Sequence, residues 1–282
     1  MPDQLHVFDL AEVNSAVAAT EFAGSIKYFS TVPSTNDLAY EAAKAGARHG
    51  VWIAGEQTAG RGRGAHTWHS AAGDGLYMTA LTAPPIPMQS AQRLSMTVAI
   101  AVQAAIASTT GFSIPGQIDI RWPNDLLLNG RKCGGILIDT ASNPASATEP
   151  ATLRYAIIGI GINLNHLTFP PEIEAIATSL RRELSGPALR NAPILRREPL
   201  ATAILLALDA ELRRLTANLE PRTSNPSRYS TWLNGKRVRV EARDGAPSYT
   251  GTTTGLDEQG FLRVLGDDGQ QHTVLSGGLR EP

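Results

Sequence analysis

The sequence predicts an α+β fold that ends in a small all-β unit. Two observations carry this reading. Apolar runs of strand length alternate with amphipathic helical stretches through about residue 233, and from Asn234 onward the pattern changes to short strands split by turn signals. The expected division is a large unit over 1–233 and a small β-barrel over 234–282.

A chain of 282 residues has room for one large domain, or for a large and a small one. With 42% hydrophobic and 18% charged residues it has the composition of a soluble globular protein. The formal net charge of −1 gives no general attraction to nucleic acid or anionic membrane, so any basic patch is local. Cys133 is the only cysteine, which excludes an intrachain disulfide and a thiolate-rich metal site. The opening M-P-D-Q-L-H-V-F-D-L has acids where a secretory signal carries bases. No stretch reaches the roughly 20 apolar residues of a membrane helix. The expected location is the cytoplasm, with no membrane partner.

Met1 to about Gly24 reads as one helix with Val13, Ala16, Val17 and Phe22 inward. Ile26–Val32 alternates as a strand, P-S-T-N-D breaks it, and a helix follows from Asn36 to Ala45, ended by Gly46. Ser34, Thr35 and Asn36 have two readings: one of them caps this helix, or they point into a cleft above the sheet. Val51–Gly55 and Leu76–Ala83 read as strands, and between them hangs the loop Q-T-A-G-R-G-R-G-A-H-T-W, Gln57 to Trp68. Gly60, Gly62 and Gly64 let the backbone approach a ligand. Arg61 and Arg63 offer planar forks for carboxylate and phosphate oxygens, and Trp68 a face for a base. The loop thus reads as a phosphate-and-base clamp that orders around its ligand. Its second reading is the R-G alternation of RNA-binding tails.

Ser90 to Ala107 forms a scaffold helix with Leu94, Val98, Ala101, Val102 and Ala105 on one stripe. In R-W-P-N-D-L-L-L-N-G-R-K-C-G-G, Asn129-Gly130 is a hairpin turn that sets Asp125 and Lys132 on neighbouring strands. Lys132 either meets an anion in a partly desolvated cleft or snorkels from an edge strand to water. Trp122-Pro123 reads as a packed corner and Cys133 as a small buried residue. Ala141–Ala151 is an exposed hairpin tip. Arg154–Asn165 is a buried strand whose Gly159 and Gly161 mark close approach of a ligand or backbone, with Asn163 at its end offering an amide or forming a turn. Glu172–Leu184 and Glu198–Leu219 are helical, the second with Leu200, Ile204, Leu208, Leu212 and Leu215 inward. Ser185–Pro193 and Pro221–Ser227 read as loops. Asp244-Gly245, Glu258–Gly260 and Asp267–Gly269 separate the final strands.

Five blocks in order, S-T-N at Ser34–Asn36, G-R-G-R-G with Trp68, W-P-N-D, K-C-G-G and G-I-G-I-N at Gly159–Asn163, resemble the biotin protein ligases. The resemblance covers most of the chain. It implies a mixed sheet with flanking helices like that of class II aminoacyl-tRNA synthetases, with 1–233 as the catalytic biotin- and ATP-binding unit. It also implies that biotin and ATP form biotinyl-5′-AMP and pyrophosphate, and that the biotinyl group passes to one lysine of the biotin carboxyl carrier protein of acetyl-CoA carboxylase. Biotin would be held by Ser34, Thr35, Asn36, Gln57 and the Gly60–Gly62 loop, with Arg61, Arg63, Lys132, Gly134 and Gly135 assisting.

By the same resemblance the nucleotide would meet Arg61, Arg63, Trp68, Arg121, Asn124, Asp125, Lys132 and Asn163, with Trp68 against the adenine. Lys132 would bridge the biotin carboxylate and the α-phosphate. Arg61, Arg63 and Asp125 complete the expected catalytic set, Asp125 also as a candidate Mg²⁺ ligand and as the group that orients the incoming amine. Arg121 stands where many members have lysine, and G-A-H-T follows Arg63 where some carry further bases; both departures bear on how tightly the adenylate is retained. The short stretch before the first core strand leaves no room for a DNA-reading domain, so a monofunctional ligase that binds no DNA is expected. The family also implies a homodimer. Competing readings are a lipoate-type ligase, a nucleic-acid-binding module built on Arg61, Arg63 and Trp68, and a degenerate member that binds biotin without transfer.

Overall fold

The computed structural model describes residues 7–64, 66–114, 116–146, 148–185, 193–217, 228–241, 247–275 and 277–282. Among them seven strands form one mixed sheet in the order β1-β2-β3-β7-β6-β5-β4. These are β1 (Ile26–Val32), β2 (Gly50–Gln57), β3 (Gly75–Thr82), β4 (Ile118–Arg121), β5 (Asp125–Leu128), β6 (Arg131–Asn143) and β7 (Thr152–Asn163). Only β1 and β2 pair in parallel, with α2 (Thr35–Lys44) as their crossover. β4 to β7 form three successive antiparallel pairs, and the β5–β6 turn has Asn129 and Gly130 at φ 49° and 80°, as the N-G dipeptide predicts.

The two faces of the sheet are covered unequally. Val51, Ile53, Met78, Ile158, Ile160 and Ile162 pack against α1 (Leu10–Ala16), α3 (Arg93–Thr110) and α5 (Arg197–Thr216) in one core. On the other face α2 buries Ala39 and Ala43 against Trp52, Leu81 and Ile157. This second layer stops at β7, and the open remainder of that face is the cleft described below. All five leucine and isoleucine positions expected inward on α5 are buried, as is the α3 stripe.

Five further strands, β8 (Asn234–Glu241), β9 (Tyr249–Leu256), β10 (Leu262–Gly266), β11 (Gln271–Val274) and β12 (Gly278–Arg280), form an antiparallel sheet in the order β11-β10-β9-β8-β12. The small all-β unit expected after Asn234 is thus present as one five-stranded antiparallel sheet. Its Val238, Val240, Leu262, Val264 and Leu279 join the main core.

Two helices are shorter than periodicity predicts. The first spans Leu10–Ala16, capped by the Asp9 carboxylate on the Glu12 amide, and gives way to turns because the Thr20 and Ser25 hydroxyls take the Val17 and Phe22 carbonyls. Val13, Val17 and Phe22 are buried as expected, but Ala16 is exposed. In the expected helix Glu172–Leu184, residues 171–176 are turns and only α4 (Leu180–Ser185) is helical. The cause is tertiary: the Lys132 amide donates to the Ile176 carbonyl and the Thr178 amide to the Lys132 carbonyl, so this backbone pairs with β6 instead of with itself. The scaffold helix begins at Arg93, after a short 3₁₀ turn at Met88–Ser90. Residues 1–6, most of the loop Ser185–Pro193, the loop Pro221–Ser227 and the turn at Asp244-Gly245 lie outside the described residues.

Candidate active site

The open face of the sheet carries a cleft of about 770 Å³. Its inner end is built by α2 and β2. Ser34 begins α2, yet its side chain makes no capping bond; Gln57 Oε1 instead accepts from the Thr35 amide (2.9 Å) and the Thr35 hydroxyl (3.1 Å). Gln57 Nε2 donates to Ser70 Oγ at 3.0 Å, and Ser70 donates to the Trp68 carbonyl. Thr79, on β3 and 0% exposed, puts its hydroxyl 2.8 Å from Thr35 Oγ1 and 2.7 Å from Asn36 Oδ1. The capping reading of the S-T-N block gives way to the cleft reading: Thr35 and Asn36 line the cavity, and their neighbours supply the cap.

Glycines make this arrangement possible. A Cβ at Gly159 would overlap the Asn36 carboxamide, and one at Gly161 would lie 2.5 Å from Trp68 Nε1. One at Gly135 would lie 3.0 Å from Trp68 Cζ3. The in-strand glycines therefore admit two side chains, where sequence reading expected a ligand or a backbone. Trp68 lies over Gly135 and Gly161 on the cleft floor, a place that does not follow from an adenine-stacking role alone. Two buried polar atoms of cleft-lining residues, Asn36 Nδ2 and Trp68 Nε1, have no hydrogen-bond partner among the described residues; Ser34 Oγ has none either, but Ser34, expected to hold the ligand, does not line the cleft. A buried donor without an acceptor is costly, so the first two atoms point to a polar ligand.

The outer end is charged. Lys132 Nζ is 2.5 Å from Asp125 Oδ1 and 5.3 Å from the Trp68 ring centroid. Arg121 Nη2 is 2.6 Å from Asp125 Oδ2. The hairpin thus brings Asp125 and Lys132 together as predicted, and Lys132 is paired rather than extended into water. Burial acts to raise the Asp125 pKa, but Lys132 and then Arg121 outweigh it and hold the carboxyl below its ordinary range. With both Asp125 oxygens on cations, the arrangement differs from the one expected of a metal ligand. Among the described residues no three His, Cys, Asp or Glu side chains cluster to hold an ion.

Asn124 Nδ2 donates to the Ile136 carbonyl (2.8 Å), and Asn163 Nδ2 to the Thr178 carbonyl (3.0 Å), so both fix the backbone around Lys132. Arg61 sits at the rim, 46% exposed, 3.1 Å from Asp37 Oδ1 and 3.7 Å from Asp139 Oδ2. Arg63 Nη1 donates to the Gly277 carbonyl at 2.6 Å, which ties the glycine-rich loop to the C-terminal sheet. The loop itself folds back as a narrow hairpin, with Gly62 donating to His66 and Trp68 to Gly60. Gly60 packs under that return, and the Cα of Gly134 faces Leu126 and Ile162, away from the cavity; neither lines the cleft.

Sequence reading missed four contributors. Thr79 is the one aliphatic hydroxyl in the run L-Y-M-T-A-L, and Ser70 lies two residues after Trp68; both carried a faint local signal. The apolar wall formed by Phe169, Ile173 and Ile176, and the Glu241 and Gly277–Arg280 edge of the C-terminal sheet, carried none, because only tertiary packing brings them here.

Residues 28–163 match the Biotin/lipoate A/B protein ligase family, and residues 234–277 match the Biotin protein ligase C terminal domain. The chain is 34% identical over 246 residues to the bifunctional ligase/repressor BirA of Bacillus spizizenii, covering 86% of this chain and 70% of that one. It is 31% identical to the biotin–acetyl-CoA-carboxylase ligase of Mycobacterium tuberculosis, covering 87% of this chain and 84% of that one. Among solved structures, the biotin protein ligase of Aquifex aeolicus in complex with biotin and ATP superposes with a TM-score of 0.71 at 23% identity, over 92% of this chain and 100% of that one. That likeness shows the same fold. Matched by sequence over more than two thirds of such relatives, the chain belongs to the biotin protein ligase family.

Proposed function

We infer that this chain is an ATP-dependent ligase that joins biotin to AMP as biotinyl-5′-AMP and transfers the biotinyl group to a lysine of a biotin carboxyl carrier protein of acetyl-CoA carboxylase. The observation that carries this reading is the pairing, in one cleft, of a buried polar network with a cationic cluster. The network of Thr35, Asn36, Gln57 and Thr79 suits a compact ring with polar atoms. The cluster of Lys132, Arg121 and Asp125 suits the reacting anions.

The chemical obstacle is the approach of a carboxylate to a phosphate. Lys132, oriented by Asp125 from one side and by the Trp68 ring from another, is our choice for the cation that both anions meet. A fixed cation there offsets their repulsion and stabilises charge that builds up as the carboxylate oxygen bonds phosphorus and pyrophosphate leaves. Arg61 and Arg63 would close over the phosphate side. In the second step Asp125 would orient the attacking amine once its partners have turned to the adenylate. The side chains present do not fit a resident metal site, so magnesium is read as arriving with the triphosphate, and no step is assigned to it.

The biotin reading is preferred to lipoate because the ring end is polar and because residues 234–277 match a biotin-ligase C-terminal domain. We further read 1–233 as the catalytic domain and 234–282 as a second one, whose edge completes the cleft through Gly277–Arg280. A homodimer and a cytoplasmic setting are likewise our reading. The family resemblance supports the first. The second is supported by ATP as co-substrate and by the buried free thiol of Cys133. No described helix is long and apolar enough to cross a membrane.

The test is pyrophosphate release from Mg-ATP with biotin, with lipoate and with no acid, followed by mass analysis of the bound product. Release with biotin and a retained biotinyl-adenylate is expected. Release with lipoate alone would replace this reading with a lipoate-type one, and release with neither would remove it.

A further inference from the structure

Thr79 belongs to the buried network without a role of its own so far, and its hydroxyl is within hydrogen-bond distance of both Thr35 and Asn36. It is 0% exposed and does not line the cavity. Its hydroxyl has a single proton and two acceptors within reach, Thr35 Oγ1 and Asn36 Oδ1. Thr35 sends its own proton to Gln57 Oε1, so the direction of the chain beyond Thr79 depends on where the Thr79 proton goes.

In this structure Asn36 Oδ1 faces Thr79, and Asn36 Nδ2, on a residue only 6% exposed, is buried without a partner among the described residues. The carboxamide rests against Gly159, where a Cβ would overlap it, so it has little freedom to shift sideways. Its remaining freedom is rotation about its last bond, which would exchange Oδ1 and Nδ2. Thr79 is the contact that distinguishes the two orientations.

We propose that Thr79 is a positioning residue that sets the polarity of the ring end: by engaging Asn36 Oδ1 it holds Nδ2 as a donor, and the site thereby selects an acid whose ring presents a carbonyl oxygen. The inference rests on the biotin reading above, since the biotin ring carries such an oxygen between two N–H groups. It adds a residue that acts through Asn36 and never touches the substrate.

The informative comparison is biotin against iminobiotin, in which an imino group that protonates to a donor replaces the ring carbonyl oxygen. Adenylation is measured with each acid for the unsubstituted chain, for Thr79→Val and for Thr79→Ser. The unsubstituted chain prefers biotin. Thr79→Val raises the KM for biotin and leaves kcat within about twofold, and the kcat/KM preference for biotin over iminobiotin falls at least about tenfold. Thr79→Ser, which keeps the hydroxyl, keeps the preference.

If Thr79→Val does not fold, as judged by its melting transition, Asn36→Asp carries the test. It keeps an oxygen for Thr79 and replaces the free donor with an acceptor, so the preference turns toward iminobiotin. An unchanged preference in the folded valine variant, or in Asn36→Asp, overturns the role of Thr79 while leaving the ligase reading intact. Failure of the unsubstituted chain to use biotin at all overturns both.

Discussion

The two ends of the cleft satisfy their polar groups in opposite ways. At the ring end, Thr35, Asn36, Gln57, Ser70 and Thr79 are held by neutral hydrogen bonds, with Thr79 fully buried and Asn36 pinned by the absence of a side chain at Gly159. At the charged end, Lys132, Arg121, Asp125, Arg61 and Asp37 form ion pairs, the Arg61–Asp37 pair at the rim open to solvent and the two Asp125 pairs more deeply set. Neutral buried networks are rigid because breaking any bond strands a polar atom. An exposed ion pair such as Arg61–Asp37 exchanges partners at little cost, and the cations on Asp125 can turn to an incoming anion without leaving a charge unpaired. The difference teaches where each task resides: selection of the acid needs the rigid end, and passage of charge through two successive reactions needs the adaptable one.

The largest expected effect separates the two ends. Lys132→Ala should lower kcat for adenylate formation by roughly 10² to 10³-fold, while biotin affinity at the ring end changes by much less. Stopped-flow adenylation beside equilibrium biotin binding checks this. A near-normal adenylation rate would remove Lys132 from its role.

Gly159→Ala should do the reverse. The new Cβ displaces Asn36, so the KM for biotin rises roughly 10- to 100-fold and the rate at saturation is retained. A loss of kcat alone would show that the two ends are not separable in this way.

Acid sharpens the comparison through His166, which is buried behind the cleft, stacked on Phe169 at 5.1 Å. Burial, with a smaller contribution from nearby His69, lowers its pKa from 6.5 to about 4. The unfolded chain therefore binds a proton that the folded chain refuses between those two values. Stability should fall as pH drops from 6.5 to about 4, by at most about 1.4 kcal/mol per pH unit, and then level off for this group. Urea unfolding midpoints across that range, with His166→Phe expected to flatten the slope, test it. Asp125 contributes in the opposite sense of charge: its lowered pKa adds stability at neutral pH that is lost only as pH falls through and below the ordinary carboxylate range.

The smallest effect concerns the rim. Asp37→Asn combined with Asp139→Asn should free Arg61 from its exposed partners and lower the KM for biotin or ATP by no more than about fivefold, since such pairs are worth under about 1 kcal/mol. The change should shrink as salt is raised. A large, salt-independent effect would mean that Arg61 is held by something stronger than these two carboxylates.

Sequence by itself determined whatever depends on neighbours along the chain. The Asn129-Gly130 hairpin, which puts Lys132 and Asp125 on neighbouring strands within reach of an ion pair, follows from turn chemistry. The inward stripe of α5 follows from a 3.6-residue period. The position of the glycine-rich loop between two strands, and the S-T-N block at a strand-to-helix turn, were equally legible. Tertiary structure alone decided what lies between distant segments. It turned the glycines at 159 and 161 into seats for Asn36 and Trp68, placed Thr79 behind them, broke the expected helix after Pro171 by pairing Ile176 and Thr178 with Lys132, and fastened Arg63 to Gly277. The physical reason is that periodicity and turn propensity act over a few residues. A close contact between side chains far apart in sequence is fixed by the shape left when the whole sheet has packed.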